Sequence, residues 1–439
     1  MKKADLNNKL REYVRAKVSP KEGDRRFVTE VYEAFKRVLN NECIQIGSYP
    51  RFTAIRPLHD LDILFLLGPW DEDRHDPSTM LRTLLRRIKD EFENPTTYEL
   101  QVSLQTHSVS VSFIQSGEEV FAVDVVPAYA HGTNEFRLDM YMVPELVRRK
   151  RGESRRALYE TLTKDQRAMQ WIASDPRGYI EVAKRANEIN SDFRRTVKFL
   201  KAWKNACKEL NDEFPLKSFH IEQIITIFFQ EHHSTEIFDG VFNFFLTLPN
   251  KILYPQIRDR ADSNKYIDSY VADLTKKQRE LIQQVRDHIL KRLEEMSDTD
   301  PIDVLLEAQF YRRVCASEEY LFDQGIPVFT DKDFSFRIRG HVQERQGGFR
   351  RFILDAIGHI PTDRKINFRI EGTPPPVDMF KWKVKNDDCS SQPRGEITDH
   401  QTMNDPEHSK YNGNHYVECY AIHDNVCVAK ARQNVKLEK

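Results

Sequence analysis

Two aspartates stand at the start of a strongly apolar segment, His59-Asp60-Leu61-Asp62-Ile63-Leu64-Phe65-Leu66-Leu67. In a β-strand, residues two apart point to the same face, so Asp60 and Asp62 share one face and the other face is apolar. Two carboxylates this close repel each other, which is costly on a buried strand unless a cation lies between them. Hard oxygen ligands of this kind suit Mg²⁺, which completes its shell with water and substrate phosphates. The segment therefore predicts a buried strand that carries part of a Mg²⁺ site.

A second apolar segment, Val120-Phe121-Ala122-Val123-Asp124-Val125-Val126-Pro127, carries a single charge in its middle. An isolated carboxylate in such a strand is unfavourable unless it is paired or bound to a metal. Placed beside Asp60 and Asp62 on an adjacent strand, Asp124 would complete a site for two metal ions about 3.5–4 Å apart. Such a site activates a hydroxyl and stabilises its in-line attack on an α-phosphate, with Asp124 as the candidate proton acceptor.

The dipeptide Gly47-Ser48 precedes the acidic pair and supplies what a triphosphate site requires. Glycine lets the backbone approach a phosphate closely, and the adjacent amides and the Ser48 hydroxyl can donate to phosphate oxygens. The sequence contains neither GxxxxGK[ST] nor GxGxxG, so a P-loop or Rossmann site is unsupported. Each piece alone has an ordinary explanation as a turn, a surface acidic pair or a hydrogen-bonded core aspartate. Together, in this order, they predict a nucleotide and metal site.

The overall composition is that of a globular protein of two or three domains. Its 439 residues are 39% hydrophobic and 31% charged, with a formal net charge of -1. This balance argues against an obligate nucleic-acid coat and against a polybasic membrane binder. No stretch approaches the roughly 18 apolar residues of a membrane span, and the N-terminus is too polar for a secretory signal. Six scattered cysteines do not form a disulfide framework, so we expect a cytoplasmic protein.

The hydrophobic periodicity changes along the chain and predicts three domains. Residues 5–40 have helical periodicity, and from Cys43 to about Tyr129 the period becomes two, interrupted by a helix over Thr79–Phe92. Long amphipathic helices are predicted over 191–210, 219–232 and 274–297, and short strands dominate after about 330. We therefore predict three domains, at 1–155, 156–325 and 330–439, of which the second is helical and the third is small and β-rich.

The order of Gly47-Ser48, Asp60-x-Asp62 and a distant Asp124 resembles the signature of DNA polymerase β-like nucleotidyltransferases. The flanking residues resemble the bacterial cGAS/DncV-like nucleotidyltransferases (CD-NTases) of the CBASS anti-phage systems. The matching segments are Ile46-Gly47-Ser48-Tyr49-Pro50-Arg51-Phe52-Thr53-Ala54-Ile55, Val123-Asp124-Val125-Val126-Pro127-Ala128 and Trp171-Ile172-Ala173-Ser174-Asp175-Pro176. The resemblance implies an α+β fold: a DNA polymerase β-like core with a mixed sheet, and a helical, PAP/OAS-like second lobe. It also implies that residues 1–155 are the nucleotidyltransferase catalytic lobe and that the helical lobe at 156–325 closes the nucleotide cleft.

Two further site residues follow from this resemblance. Phe199-Leu200-Lys201-Ala202-Trp203-Lys204 resembles the family's helix whose lysine reaches the triphosphate, which implies that role for Lys201. Lys217-Ser218-Phe219-His220-Ile221-Glu222 resembles the start of the next helix, where a serine contacts the phosphates, which implies Ser218. A serine at this place is also a good helix N-cap, and both roles can coexist because helix N-termini attract phosphate. A solvated basic stripe along the first helix is the alternative for Lys201.

The C-terminal region resembles a different family, the adenylyl/guanylyl-cyclase and SMODS C-terminal sensor domain. The matching segments are Trp382-Lys383-Val384-Lys385-Asn386, Arg394-Gly395-Glu396-Ile397, Tyr411-Asn412-Gly413-Asn414-His415-Tyr416-Val417-Glu418-Cys419-Tyr420 and Cys427-Val428-Ala429-Lys430. The resemblance implies a small, β-rich domain that binds a small ligand, without indicating which one.

Together the resemblances imply an enzyme that makes a cyclic di- or trinucleotide from ATP, GTP or other nucleoside triphosphates and releases pyrophosphate. Two Mg²⁺ ions are implied as cofactors, for which Mn²⁺ can substitute. The implied partners are an effector protein that binds the product and regulatory proteins of the same operon, with no membrane and no obligate nucleic acid. Two alternatives remain open: transfer of a nucleotide to an RNA end or protein acceptor, and a catalytically silent nucleotide sensor. Base identity, ring size, linkage, activator and oligomeric state are not fixed by the sequence.

Overall fold

The structure is a computed structural model that divides into two compact units. It describes residues 1–71, 76–146, 169–330, 334–343, 351–353, 359–373, 376–400 and 406–438. The larger unit comprises Leu10–Lys208 and Glu213–Arg279, and the smaller unit comprises Met1–Lys9, Glu209–Asp212 and Glu280–Lys439. The predicted boundary between 155 and 156 lies outside the described residues, and the three predicted domains stay a prediction.

The described α-helices follow the amphipathic segments of the sequence. They are α1 (Lys3–Tyr13), α2 (Glu22–Val38), α3 (Pro77–Glu91), α4 (Pro176–Ile189), α5 (Asp192–Leu210), α6 (Ser218–Glu231), α7 (Ile237–Lys251) and α8 (Lys276–Glu295). A π-helical turn covers Val14–Val18, and short 3₁₀ helices cover Ser269–Asp273, Ile302–Leu305 and Leu321–Gln324. Among the described helices, none is both long and apolar enough to cross a membrane.

The prediction of helical periodicity over residues 5–40 is confirmed except for a break. The helical segment ends at Val18, and α2 begins at Glu22. Pro20 lies in the gap. Proline lacks an amide hydrogen and disfavours helical geometry in the residue before it, which accounts for the interruption. The remaining predicted helices agree with the structure to within two residues at each end.

A mixed sheet forms the centre of the larger unit. Its strands are β1 (Cys43–Ile46), β2 (Asp60–Pro69), β3 (Glu99–Leu104), β4 (Val109–Gln115), β5 (Glu118–Thr133), β6 (Asp139–Leu146) and β7 (Met169–Ser174). The order is β1-β2-β5-β4-β3, and β6 joins β5 to β7. Strands β2 and β5 are parallel, whereas β1–β2, β3–β4, β4–β5, β5–β6 and β6–β7 are antiparallel. The predicted α+β class with a mixed sheet is therefore confirmed.

Helices α2 and α3 cover one face of this sheet. The buried cluster contains Val31 and Phe35 of α2, Leu84 of α3, Ile63 of β2 and Val123 of β5. Because side chains alternate along a strand, burying residues 61, 63, 123 and 125 on this face directs residues 60, 62 and 124 to the other. The hydrophobic effect thus fixes the face on which the three aspartates lie.

The smaller unit contains two sheets around a shared apolar core. Its strands are β8 (Ser335–Gln343), β9 (Arg351–Ile353), β10 (Ile360–Pro361), β11 (Lys365–Thr373), β12 (Met379–Lys385), β13 (Ile397–Thr398), β14 (Glu407–His408), β15 (Gly413–His423) and β16 (Val426–Glu438). One sheet has the order β10-β16-β15-β12-β13 and the other β14-β11-β8-β9. Ile338 and Phe368 from one sheet pack with Trp382 and Val417 from the other. The predicted β-rich C-terminal region is confirmed.

Candidate active site

The parallel pairing of β2 with β5 brings two of the predicted aspartates together. Asp62 and Asp124 are directly opposite each other in this ladder, and Asp60 is opposite Ala122. Asp62 and Asp124 are half-buried, and Asp60, at the start of β2, is exposed. The three carboxylates therefore share one face of two adjacent strands.

The carboxylates of this site are held in an environment that disfavours their charge. Burial and, to a smaller extent, the charges of Asp60 and Asp124 raise the pKa of Asp62 to about 7. Burial also raises the pKa of Asp124, although Ser110 on the neighbouring strand opposes the rise. Neutralisation by a bound cation would remove this penalty.

One oxygen of Asp124 gives a second indication that a cation fits this site. Its Oδ1 is buried and has no hydrogen-bond partner, an arrangement that is rare for a carboxylate oxygen in a folded protein. The ligand atoms of the three aspartates do not all lie within 4.8 Å of one another. Within the described part of the chain, this criterion is met by a different, exposed set, Asp378, His423 and Asp424. Rotation of side chains is therefore needed to bring all three aspartates onto one ion.

Gly47 directly follows β1 and lies against the Asp62 carboxylate. Its φ is +76°, and a Cβ atom added to it would lie 1.8 Å from Asp62 Oδ2. The register that pairs Ile46 with Asp62 brings the two residues together. The backbone conformation favours glycine, and a side chain at this position would displace the Asp62 carboxylate. The glycine thus makes room for a carboxylate beside the proposed phosphate-binding loop.

The loop after Gly47 turns back on itself and is bonded to the helices. The amide of Thr53 donates to the Ser48 carbonyl at 3.0 Å, and that of Phe52 donates to Tyr49 at 2.9 Å. Arg194 on α5 donates from Nε to the Arg51 carbonyl at 3.0 Å. Ser48 is half-buried inside this turn.

Lys201 lies on α5 and already has partners for all of its donors. Its Nζ donates to Glu222 Oε2 at 2.7 Å, to Thr53 Oγ1 at 3.1 Å and to the Thr53 carbonyl at 3.2 Å. The residue is 6% exposed. A triphosphate would have to exchange with these partners, so its implied phosphate contact stays a prediction.

Ser218 is the first residue of α6 and is half-buried. The expectation that it caps this helix is wrong, because the N-cap is Lys217, whose own side chain makes no capping hydrogen bond. Ser218 is one residue inside the helix, at a position whose amide has no intrahelical acceptor. Its hydroxyl is thus not used as the helix cap, and its implied contact with phosphate stays a prediction.

Sequence reasoning did not assign a role to four residues that adjoin this site. Arg51, Thr53 and Glu222 form a buried polar group with Lys201. Lys204 is half-buried on α5, where burial lowers its pKa and the charge of Asp60 opposes this effect. Glu222 had a detectable signal, since a charge flanked by Ile221 and the Ile224-Ile225 pair is as conspicuous as Asp124 in its strand.

A separate cavity of about 570 Å³ lies within the smaller unit. Its apolar lining includes Phe368, Trp382 and Val417, and its polar lining includes Arg394 and Tyr411. The Arg394 guanidinium pairs with Glu407 through Nη2 at 3.0 Å, while its buried Nε has no hydrogen-bond partner. Apolar walls with a few polar groups are typical of a small-molecule site.

Comparisons with known proteins find a matching family model and a curated relative. Residues 316–438 match the model of the family described as "Adenylyl/Guanylyl and SMODS C-terminal sensor domain". The chain is 29% identical over 182 residues to the cyclic AMP-AMP-AMP synthase of Escherichia coli (strain MS 115-1), a match that covers 42% of this chain and 48% of that protein. The match thus spans about half the length of that curated relative. These matches confirm the resemblance to CD-NTases with a C-terminal sensor domain.

Solved structures of CD-NTases show a distant likeness. The complex of E. coli MS115-1 CdnC with HORMA-deltaN gives a TM-score of 0.49 at 18% identity, covering 70% of this chain and 98% of that one. The same CdnC with ATP gives a TM-score of 0.49 at 18% identity, covering 70% and 99%. CdnG of Bradyrhizobium diazoefficiens in complex with GTP gives 0.46 at 10% identity, covering 68% and 96%.

Proposed function

We propose that this chain is a Mg²⁺-dependent nucleotidyltransferase that joins nucleoside triphosphates, ATP and GTP among them, into a cyclic di- or trinucleotide and releases pyrophosphate. The observation that carries the proposal is the pairing of Asp62 with Asp124 on parallel strands, with Gly47 packed against the Asp62 carboxylate. The matched cyclic AMP-AMP-AMP synthase supports the same reaction class.

Asp60, Asp62 and Asp124 are the residues that would hold two Mg²⁺ ions, with Mn²⁺ as a substitute. When bound there, such ions would lower the pKa of an attacking hydroxyl and stabilise displacement at an α-phosphate. Asp124, whose Oδ1 has no other partner, is placed to accept the proton of that hydroxyl. The closed turn after Gly47 presents the Ser48 hydroxyl and backbone amides to phosphate oxygens. Lys201 and Ser218 supply further positive charge and a donor from α5 and α6.

The substrates proposed here are nucleoside triphosphates, and the product is a diffusible signal. An effector protein that binds the product and regulatory proteins of the same operon are the expected partners, in an anti-phage response in the cytoplasm. We also infer that the cavity lined by Trp382 and Arg394 is the ligand site of the C-terminal sensor-like region.

The two alternative functions differ from this proposal in the acceptor or in the absence of turnover. An RNA end or a protein side chain would use the same three carboxylates, so the metal site does not discriminate. A silent sensor would have no physical reason to retain clustered carboxylates whose pKa values burial raises.

The test is to incubate the purified protein with Mg²⁺ and all four radiolabelled nucleoside triphosphates and to treat the products with phosphatase. We expect a phosphatase-resistant species that is absent from Asp60→Asn, and omission of single nucleotides identifies its bases. Label transferred to added RNA or protein would support the alternative acceptor. Absence of any product with Mg²⁺ or Mn²⁺, also after addition of cell extract, would contradict the proposal.

A further inference from the structure

The cavity of the smaller unit is walled by both of its sheets. Residues two apart on a strand point to the same side, and three strands each contribute one such pair to the wall. The pairs are Ile366 and Phe368 of β11, Trp382 and Val384 of β12, and Val435 and Leu437 of β16. The volume of about 570 Å³ is within the range of small-molecule sites, roughly 300–1,000 Å³. Protein interiors rarely contain spaces larger than a water molecule, so a ligand site explains this cavity better than a packing defect does.

The wall formed by these six residues is apolar. All of them belong to, or pack against, the hydrophobic core that the two sheets share. Such a wall attracts a ligand by removing the ligand's apolar surface from water, and it offers little to polar atoms. A ribose or a purine base placed against it would lose hydrogen bonds to water that the wall does not replace. The wall therefore selects a ligand with an apolar body.

One hydrogen-bond donor beside the cavity lacks an acceptor. Arg394 is half-buried and lines the cavity, and its Nη2 donates to Glu407 Oε2 at 3.0 Å. On the other side of this carboxylate, His400 Nε2 lies 3.8 Å from Oε1. The Arg394 Nε is buried and has no hydrogen-bond partner among the described residues. Buried N–H groups are nearly always paired in native proteins, so this donor calls for an acceptor on the ligand.

The charges around the cavity balance each other. Apart from its histidines, the lining contains two cations, Arg394 and Lys410, and two carboxylates, Glu396 and Glu407. Phosphate and carboxylate ligands are usually held by unopposed cations or by several backbone amides. An anion brought to Arg394 would lie near Glu407 and would lose its water without a net positive charge to replace it. The acceptor that suits Arg394 Nε is therefore an uncharged oxygen.

His415 holds part of the rim in place. It is 7% exposed, its Nδ1 accepts from the Asp387 amide at 3.1 Å, and its Nε2 donates to the Tyr411 carbonyl at 2.7 Å. Asp387 in turn accepts from the amides of Cys389 and Asn414 at 2.9 and 2.7 Å. Because these bonds tie Asp387 and Tyr411 to β15, this part of the rim is preorganised, which lowers the entropy cost of binding.

We propose that the cavity binds an apolar molecule that carries one uncharged oxygen acceptor, such as a long-chain amide, with its chain against Phe368 and Trp382 and its oxygen on Arg394 Nε. The proposal rests on the ligand-binding role proposed above for this region and names the class of ligand. Nucleotides are poor ligands here, because the cavity offers neither polar walls for a base nor an excess of positive charge for phosphates. The signal received by this region is then distinct from the enzyme's own substrates and product.

The test uses the full chain and long-chain amides as probes. Of the four tryptophans, Trp382 alone belongs to the smaller unit, since Trp70, Trp171 and Trp203 lie in the larger one. Bound 10-bromodecanamide should therefore quench the fluorescence of Trp382 only, and Trp382→Phe should abolish the quenching. Affinity should rise about threefold to fourfold per methylene from octanamide to decanamide, because each methylene is buried against the wall. Decanoate should bind at least about tenfold more weakly than decanamide, and AMP and ATP should not displace the probe.

Two variants test the contacts within the cavity. Arg394→Lys keeps a cation opposite Glu407 and removes Nε, so decanamide affinity should fall about tenfold while the effect of chain length remains. Val384→Phe fills part of the cavity and should weaken decanamide binding by more than about tenfold. Val428→Phe is the matched control, because Val428 is also partly buried against this core but is not part of the cavity lining. It should keep the wild-type affinity.

Displacement of the probe by AMP or ATP, tighter binding of decanoate than of decanamide, or an absence of quenching in the wild type would each overturn the proposal. Equal losses in Val384→Phe and Val428→Phe would overturn it too, because binding would then not depend on the cavity. If Val384→Phe does not fold, the chain-length series and Arg394→Lys decide the question. Decanamide binding without cyclic product contradicts the proposed function alone, whereas turnover without decanamide binding contradicts this proposal alone.

Discussion

Asp62 and Asp124 lie directly opposite each other on two parallel strands, although 62 positions separate them in the chain. The apolar residues that alternate with them pack against α2 and α3, so both carboxylates are forced onto the opposite face. Burial raises the pKa of both, and the charge of Asp60 adds to the rise in each case. The arrangement is unfavourable for the protein alone and favourable for a protein that binds cations there.

Asp62→Asn should abolish nucleotide transfer without unfolding the protein. The amide keeps the shape of the side chain and removes a charge that its surroundings disfavour, so the melting temperature of the metal-free variant should equal or exceed that of the wild type. We expect activity to fall by at least about 100-fold, because the amide is a poor Mg²⁺ ligand. Product formation and thermal unfolding measure the two effects. Loss of activity together with a large fall in melting temperature would indicate a structural role instead.

Gly47→Ala should be both inactive and unstable. The new Cβ would lie 1.8 Å from Asp62 Oδ2, on a backbone with a φ of +76°. We expect a loss of at least about 2 kcal/mol in the free energy of unfolding. Gly23→Ala is the control: Gly23 lies in α2 with nothing within 4 Å of its added Cβ. That change should stabilise the helix by about 0.5–1 kcal/mol. Urea unfolding compares the two, and similar effects would refute the close packing at Gly47.

Ser218→Ala should separate phosphate binding from helix capping. The N-cap of α6 is Lys217, so loss of the Ser218 hydroxyl should change the unfolding free energy by less than about 0.5 kcal/mol. If the hydroxyl binds a phosphate, the KM for nucleoside triphosphate should rise at least about tenfold, because a hydrogen bond to a charged group is lost. Steady-state kinetics and chemical unfolding test this. An unchanged KM would remove Ser218 from the site.

The stability of the smaller unit should decrease at alkaline pH because of Glu294. Burial raises its pKa to about 8, from an ordinary value of 4.5. The folded protein therefore retains a proton that the unfolded chain has lost, so this contribution is complete below pH 4.5 and disappears as the pH rises through 8.

Glu294→Gln removes this titration and keeps an acceptor for the Phe322 amide, which bonds Oε1 at 2.7 Å. Relative to the wild type, the variant should gain on the order of 4 kcal/mol between pH 5 and pH 9 in urea unfolding followed by a probe in this unit. Glu295→Gln, at the exposed neighbouring position, should show the wild-type pH dependence. Parallel curves for wild type and Glu294→Gln would contradict the prediction.

The sequence was sufficient for the parts of the site that depend on local pattern. A carboxylate in an apolar strand is conspicuous, so Asp60, Asp62 and Asp124 could be named from alternation alone, and helical periodicity located α3, α5 and α6. The pairing of Asp62 with Asp124 could not be obtained in this way, since it depends on the register of parallel strands that are distant in sequence. The need for glycine at position 47 is explained by the side-chain carboxylate that lies close to it. That contact also depends on strand register, so the local sequence does not reveal it.

The group around Glu222 shows the same limit. Arg51, Thr53, Lys201 and Glu222 come from three segments, and no spacing in the sequence connects them. Lys201 was expected to reach phosphate, and the structure shows it bonded to a carboxylate that local periodicity cannot assign to it. Capping at Ser218 was wrong by one residue, because helix starts depend on backbone geometry that sequence determines only approximately.

The ratio of pyrophosphate released to nucleotide consumed tests ring closure directly. A closed ring releases one pyrophosphate for every nucleotide it contains, whereas a linear dinucleotide keeps one triphosphate end and releases one for every two nucleotides. With purified wild-type protein, Mg²⁺ and nucleoside triphosphates, we predict a ratio of one, a product that phosphatase does not shorten, and no release by Asp62→Asn. A ratio near one half with a phosphatase-sensitive product, or a ratio of one with all label on a macromolecule, would contradict the synthesis of a cyclic nucleotide.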